Sequence, residues 1–286
     1  MRDIFPDRIN QIKPEQCDLQ IGIHPDAYSF GIHNPLGEDT FLFHQLNKGR
    51  QKDAFSNFKE YFFENGFLGW PYRKIYLVNY SPNFTYVPSL MYEAKYKEEL
   101  MDRLFSKRKT ERVLDQRMEA LGMILLHRIP IEVYDFFHRS FIDACFVHYS
   151  SGLISYFLNR KEEGETSRMV LFLRENELDI FCFRNGSLLL GNHYDFQNEN
   201  DALYYVLFTW KQLDMDQMSD SVEILGTGSL KDELIDKIRV YIRNVLPTSL
   251  ISEPSGKEEV STVRPMTKLS TYPFPQEMLA ISLCDI

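Results

Sequence analysis

The chain of 286 residues is long enough for one large domain or two medium-sized ones. Its hydrophobic content of 44% is typical of a globular protein with a buried core, and its net charge of −9 argues against a general nucleic-acid-binding protein. The first residues lack the apolar core of a signal peptide, and no run of about 18 apolar residues occurs. We therefore expect a cytoplasmic protein without a membrane span.

The first predicted unit is an antiparallel meander over residues 19–46. Apolar residues alternate along three short stretches, which turn residues separate at 24–27 and 34–37. A helix after Asp53, a candidate N-cap, and a short apolar strand over 75–78 come next. This order predicts a crossover helix that returns the chain parallel to the first strand.

The middle of the chain reads as an inserted α/β stretch. Residues 81–90 contain two prolines and are expected to form a loop, and a helix is expected over 93–105 with Tyr96, Leu100 and Leu104 on one face. The pattern then predicts two strand–helix pairs: strands over 123–126 and 144–148, and helices over 130–139 and 152–158.

Residues 169–196 repeat the meander, following a polar boundary segment at 161–167. Within this copy, Asn185-Gly186 predicts a type I′ hairpin turn. Asn198 or Asn200 can cap the helix that follows, and a strand is expected over 222–225.

The last part of the chain is predicted to contain one more helix and a flexible segment. Ser229 and Asp232 resemble a capping box at the start of that helix. Residues 248–268 are rich in Ser, Thr, Pro and charge, which predicts flexibility. The apolar run over 279–283 is expected to form a last strand or a docking segment.

The order of three strands, helix, strand, inserted α/β stretch, strand, helix and repeated meander resembles the actin-like ATPases of the ribonuclease H-like superfamily. Within them it resembles the pilus-assembly and cell-division type, and it is similar above all to an uncharacterised bacterial family, a domain of unknown function with this fold. The run over 123–160 and the segment FRNGSLLLGNHYDF carry most of the likeness. The resemblance implies an α/β fold of duplicated actin-like domains with mixed sheets flanked by helices. It divides the chain into a first half at 1–162, with the inserted subdomain, and a second half at 168–286.

The resemblance also implies where phosphate and metal would be held. Active members carry an acidic residue and a glycine-rich turn between the first two strands of each half, because close backbone N–H groups bind phosphate and a carboxylate orders Mg²⁺. Here those positions fall on Gly22 and His24 in the first half, with Asp26 nearby. In the second half Leu173 replaces the acid, and the turn at 174–177 contains two acids and no glycine. We therefore expect degraded nucleotide-binding turns.

A third landmark of these proteins is a glycine pair that packs on adenosine. Gly226, Thr227, Gly228 and Ser229 partly fit it, because they follow a strand and open a helix, whose N-terminus could accept an anion. If a nucleotide binds, these four residues and Asp26 are the candidate cofactor-binding residues. The alternative is a plain strand-to-helix turn in which glycine permits tight packing, with Asp26 as a turn residue.

Other chemistry finds little support in the sequence. The seven histidines are scattered without a ligand motif, the four cysteines are far apart, and no Walker or G-x-S-x-G motif occurs. No residue is assigned a catalytic or metal-binding role.

The favoured function is a non-catalytic actin-like scaffold that binds an unidentified protein partner and needs no cofactor. The alternative is an atypical switch that binds ATP and Mg²⁺, or a small-molecule kinase, with Glu175 or Glu177 as a further possible metal contact. A third hypothesis is a ribonuclease H-like nuclease, which would need carboxylates such as Asp179 and Asp195 on neighbouring strands. The sequence does not determine the oligomeric state.

Overall fold

The computed structural model describes residues 12–35, 41–47, 53–160, 166–250 and 275–284. Its strands are β1 (Asp18–Ile23), β2 (Ala27–His33), β3 (Phe41–Asn47), β4 (Lys74–Asn79), β5 (Phe84–Pro88), β6 (Glu111–Met118), β7 (Met123–Pro130), β8 (Cys145–His148), β9 (Ser167–Leu173), β10 (Glu177–Arg184), β11 (Ser187–Asp195), β12 (Ser221–Gly226) and β13 (Asn244–Pro247). Its α-helices are α1 (Ala54–Glu64), α2 (Lys97–Leu104), α3 (Ile131–Ser140), α4 (Tyr149–Asn159), α5 (Glu199–Gln212), α6 (Lys231–Arg239) and α7 (Gln276–Cys284).

Two five-stranded mixed sheets share one strand order, β3-β2-β1-β4-β8 in the first and β11-β10-β9-β12-β13 in the second. In each sheet the meander is antiparallel, and its first strand pairs in parallel with the strand that follows the crossover helix: β1 with β4, and β9 with β12. Both β1 and β9 are buried along their whole length, as expected for strands covered on both faces. The predicted duplication is confirmed.

The hairpin turns follow the predicted turn chemistry. His24 N–H donates to the Ala27 carbonyl over 3.0 Å and closes a two-residue loop between β1 and β2. Asn185 and Gly186 have φ of 51° and 69°, the left-handed backbone that a type I′ turn requires. The predicted turn at 34–37 extends beyond the described residues.

The inserted subdomain is a three-stranded antiparallel sheet in the order β5-β7-β6, placed in sequence between β4 and β8. Two features differ from prediction. Residues 81–90 were expected to form a loop, but β5 pairs there with the buried strand β7. Strand β6 was not predicted, because charged residues dominate it and only Val113 and Met118 are buried.

Helix starts are confirmed at two predicted caps and differ at a third. Asp53 accepts from Ser56 N–H over 2.9 Å, and Asn198 accepts from the N–H groups that follow it. The predicted capping box at Ser229 is wrong, because α6 begins at Lys231 without a side-chain cap and the Ser229 hydroxyl donates to Glu175 over 3.2 Å. The predicted apolar face of α2 is also wrong: Leu104 is 54% exposed, whereas Met101 is buried.

Each sheet has its own outer core, and a third core lies between the two sheets. Helices α1 and α3 cover the first sheet, and α5 and α6 cover the second. The central core joins the inner faces of both sheets and includes residues of α4 and α7. The apolar run at 279–283 was expected to form a last strand or a docking segment. In the structure it belongs to α7, a helix that packs against α4.

Two predictions fall on residues outside this description. The boundary segment at 161–167 lies largely there, so the division into 1–162 and 168–286 stays a prediction. The segment predicted to be flexible, 248–268, is described only at its first three residues.

Candidate functional site

The two hairpin turns at the starts of the halves occupy equivalent positions. His24 opens the β1–β2 turn, and Arg174 opens the β9–β10 turn. The Arg174 N–H donates to the Glu177 carbonyl over 2.9 Å, as the N–H of His24 does to Ala27. His24 and Arg174 are therefore equivalent residues, each the first of its turn.

A column of side chains connects these two turns. The His24 ring stacks on Tyr80 with centroids 3.8 Å apart, and Tyr80 stacks on Tyr149 at 5.0 Å with the ring planes 7° apart. The guanidinium carbon of Arg174 lies 4.8 Å from the centroid of Tyr149, within cation–π distance. Tyr149 is fully buried and Tyr80 is 6% exposed, so these two rings occupy the space between the turns.

The positions of Tyr80 and Tyr149 in the fold explain why their rings lie next to each other. Tyr80 follows the last residue of β4, and its N–H donates to the Ile23 carbonyl over 2.9 Å, which brings it to the end of β1. Tyr149 is the first residue of α4, directly after β8, which pairs with β4. Two neighbouring parallel strands thus place their following residues at the same edge of the sheet.

Arg174 is held by a set of charged and polar groups. Its guanidinium lies 3.0 Å from Asp179, donates to Glu177 over 2.6 Å, and approaches the Tyr149 hydroxyl at 3.3 Å. The Tyr149 hydroxyl itself donates to Asp179, which has no exposed surface, over 2.8 Å. Burial acts to lower the pKa of Arg174, but Tyr149, Asp179 and Glu177 raise it well above its usual range. Arg174 is therefore a permanent cation with its neighbours already in place.

The same surroundings keep the first turn neutral. Removal from water, and then the charge of Arg174, lowers the pKa of His24 to about 3. The His24 Nε2 lies 2.9 Å from the Ser29 hydroxyl, which fixes the ring against β2. The two turns consequently present a neutral ring on one side and a cation on the other.

Helix α7 closes the column from a third side. Glu277 accepts from the Tyr80 hydroxyl over 2.9 Å, and burial raises the pKa of this carboxyl group. The helix fits closely because Gly152 of α4 faces it: a Cβ at Gly152 would lie 2.8 Å from the Ile281 backbone nitrogen. The C-terminal segment is thus part of the filled cleft.

Two cavities lie beside the column. The larger, of about 520 Å³, lies between the first half and the inserted subdomain and is lined by Asp26, Arg108 and Arg128 among others. The smaller, of about 240 Å³, is lined by Gln45, Arg174, Gly226 and Thr227 among others.

The predicted cofactor-binding residues are divided between these cavities. Asp26 lines the larger one, whereas Gly226 and Thr227 line the smaller one. Gly228 packs on the second turn, where a Cβ would lie 2.9 Å from the Arg174 carbonyl, and Ser229 reaches Glu175 of the same turn. The structure thus does not gather the five residues around one space, and their role in nucleotide binding stays a prediction.

Sequence reasoning missed the groups that fill the cleft. Tyr80, Tyr149 and Glu277 carry no motif, and Tyr80 and Glu277 are 197 residues apart. One signal was available: Arg174 stands in a turn where active members have glycine. A second was the helix predicted over 152–158, which the structure contains within α4, although α4 begins three residues earlier at Tyr149.

Comparison with solved structures supports the fold. A Bacteroides thetaiotaomicron protein with actin-like ATPase fold and unknown function shares 28% identity with a TM-score of 0.75, covering 86% of this chain and 93% of that one. The PilM–PilN type IV pilus biogenesis complex shares 13% identity with a TM-score of 0.47 over 82% and 89% of the two chains. Ethanolamine utilization protein EutJ from Carboxydothermus hydrogenoformans shares 5% identity with a TM-score of 0.44 over 84% and 89%.

The sequence comparisons gave one family match. No curated protein matches the chain. Among the described residues, no helix combines the length and the apolar character needed to cross a membrane. The family model described as "Protein of unknown function (DUF3822)" matches residues 6–245. With this match and its actin-like ATPase fold, the chain belongs to the DUF3822 family.

Proposed function

We propose that this protein is a non-catalytic actin-like scaffold that binds a protein partner, and that its cleft does not hydrolyse nucleotide. The observation that carries this proposal is the side-chain column from His24 through Tyr80 and Tyr149 to Arg174. In the actin-like ATPases that the sequence resembles, the space between these two turns holds the nucleotide phosphates. Here a triphosphate would have to displace buried rings from that space.

The chemistry of the second turn also supports this proposal. Backbone N–H groups bind phosphate only when they point outward, but the Arg174 N–H is already bonded to the Glu177 carbonyl. The charge of Arg174 is balanced by Asp179 and Glu177, so it is not available to a new anion without loss of those pairs. Glu175 adds another negative charge to the same turn.

Exposed apolar side chains support the partner-binding part of the proposal. Leu90 and Met91 follow β5 directly and are 102% and 78% exposed. Exposed apolar residues that form part of a larger patch are typical of surfaces that contact another molecule.

Calorimetric titration of the full chain with ATP and Mg²⁺, together with a phosphate-release assay, tests the proposed function. We expect no saturable binding up to about 1 mM nucleotide and no release above the buffer rate. Micromolar affinity accompanied by turnover would overturn the proposal.

The smaller cavity favours a second candidate function, an atypical nucleotide-binding switch. Gly226 and Thr227 line this cavity beside Arg174. Its volume of about 240 Å³ is below the usual range of ligand pockets, about 300–1,000 Å³, so only part of a nucleotide would lie inside it.

Three substitutions separate the two candidates. Thr227→Tyr fills the smaller cavity, Asp26→Ala removes the predicted contact in the larger one, and Thr110→Tyr is an exposed control outside both linings. If nucleotide binds and Thr227→Tyr alone abolishes that binding, the result supports the nucleotide-binding switch and contradicts the scaffold proposal.

A further inference from the structure

Four ionisable side chains form a square on one face of the β10–β11 hairpin. Glu177 pairs with Asp195 across the two strands, and Asp179 pairs with His193 two residues further in. Because alternate residues of a strand share a face and cross-strand partners share it too, all four project to the same side. This face carries Phe181 into the central core, so the square lies at the edge of that core.

Within this square, His193 is oriented by a buried carboxylate. Its Nδ1 donates to Asp179 over 2.8 Å, so Nε2 carries the lone pair whenever the ring is neutral. The His193 side chain is 8% exposed, and its Nε2 is buried without a hydrogen-bond partner. In the neutral ring this nitrogen is a buried acceptor, and an unsatisfied buried polar group is unfavourable until it finds a partner.

The orphan nitrogen faces two carboxylates. It lies 3.4 Å from Asp195 Oδ1, and one ligand atom each from Glu177, His193 and Asp195 fall within 4.8 Å of one another. Two ligands that lie about 2.1 Å from one tetrahedral ion are separated by about 3.4 Å. Oε2 of Glu177 accepts a hydrogen bond from Arg174, which leaves the second carboxylate oxygen for another contact.

We propose that Glu177, His193 and Asp195 bind one divalent transition-metal ion of the zinc class. One imidazole and two carboxylates suit zinc better than Mg²⁺, which prefers oxygen ligands alone. Asp179 is the positioning residue, because a carboxylate on the far nitrogen of a ligating histidine orients the ring and strengthens it as a ligand. Three protein ligands leave a fourth position to water.

The charge of the region fits a divalent cation. Glu177, Asp179 and Asp195 bring three negative charges and Arg174 brings one positive charge, so the group carries −2 with His193 neutral. Of the three carboxylates only Asp179 is fully buried, and a divalent ion would balance the remaining negative charge of the group. The site shares Glu177 with the metal contacts considered for the nucleotide-binding alternative, whereas His193 and Asp195 belong to neither set of predicted contacts. It does not depend on the scaffold function.

Titration of the metal-free full chain with Zn²⁺, measured against a competing chelator, tests this site. We expect one Zn²⁺ per chain, and Co²⁺ in its place should give the visible absorption of a low-coordinate site. His193→Asn and Asp195→Asn should each weaken the affinity by at least about 10-fold, and Asp179→Asn by about 10- to 100-fold. His138→Asn, at an exposed histidine on α3, is the matched control and should leave the affinity unchanged.

Asp195→Asn keeps the test decisive if the buried variants fail to fold, because the Asp195 side chain is 87% exposed. A Zn²⁺ affinity that is the same in Asp195→Asn as in the unaltered chain would overturn the proposal. Absence of stoichiometric Zn²⁺ binding would overturn it as well.

Discussion

The two halves have the same strand pairing at the cleft but fill it in different ways. Strand β4 ends at Asn79, paired with Ile23, and β12 ends at Gly226, paired with Leu173. The next residue in each half donates its N–H to the end of the central strand: Tyr80 to Ile23, and Thr227 to Leu173. Tyr80 and Thr227 are therefore equivalent positions.

This pair of positions explains the asymmetry of the cleft. In the first half the large Tyr80 ring enters the column, whereas in the second half the small Thr227 lines a cavity of about 240 Å³. The first turn adds a neutral ring, His24, and the second adds the cation Arg174. A duplicated fold can thus keep its strand pairing while the two copies take separate roles, one steric and the other electrostatic.

Removing the cation should have the largest effect. Arg174→Ala removes the arginine from the fully buried Asp179, which keeps only its contacts with Tyr149 and His193, and breaking a buried pair costs about 3–5 kcal/mol. Urea unfolding followed by circular dichroism measures the loss.

Arg103→Ala is the matched control for this substitution. Arg103 pairs with Glu99 on the surface of α2, with side chains 75% and 57% exposed, so its loss should cost about 0.5 kcal/mol or less. Equal losses of unfolding free energy in the two variants would show that Arg174 acts as a surface residue. That result would contradict the electrostatic role of the second half.

The glycine turn of the second half should show the next largest effect. Gly226 has φ of +100°, and a Cβ there would lie 1.9 Å from the Leu173 carbonyl oxygen. Gly226→Ala combines a backbone cost of about 1–2 kcal/mol with overpacking, for a total of about 2–4 kcal/mol. The measurement is again the unfolding free energy in urea.

Gly186→Ala separates backbone strain from close packing. Gly186 has φ of +69° but nothing within 4 Å of the added Cβ, so only the backbone cost of about 1 kcal/mol should remain. If Gly226→Ala cost no more than this control, close approach to β9 would not explain the glycine.

Local patterns were enough to predict most of the sheet architecture. The alternation of apolar residues in both meanders, the Asn185-Gly186 turn and the caps at Asp53 and Asn198 all depend on residues close in sequence. Strand β6 could not be predicted in this way, because its stability comes from pairing with β7 rather than from its own apolar pattern.

The filled cleft depends on contacts that no local pattern encodes. Tyr80 meets Glu277 across 197 residues, and Tyr149 meets Asp179 across 30. A tyrosine after a strand looks the same in sequence whether it faces solvent or another half. The absence of glycine from both turns could be read from the sequence, but the groups that replace the phosphate could not.

Acid should destabilise the first turn. The pKa of His24 is about 3 in the folded chain, against about 6.5 when unfolded. Between these values the unfolded chain binds a proton that the folded chain does not, so stability is fully present above about pH 6.5 and falls as the pH decreases. Burial also lowers the pKa of His127 to about 3 and that of His148 well below its usual range, so they add to the same loss.

His24→Gln should remove one of these contributions. Comparing unfolding free energies at about pH 7 and about pH 5, the unaltered chain should lose about 2 kcal/mol more than the variant. His138→Gln, at an exposed position, should lose as much as the unaltered chain. If His24→Gln also lost as much, the His24 ring would titrate normally in the folded state. It could then not be held away from water by its stacking on Tyr80, and the column would not be closed at the first turn.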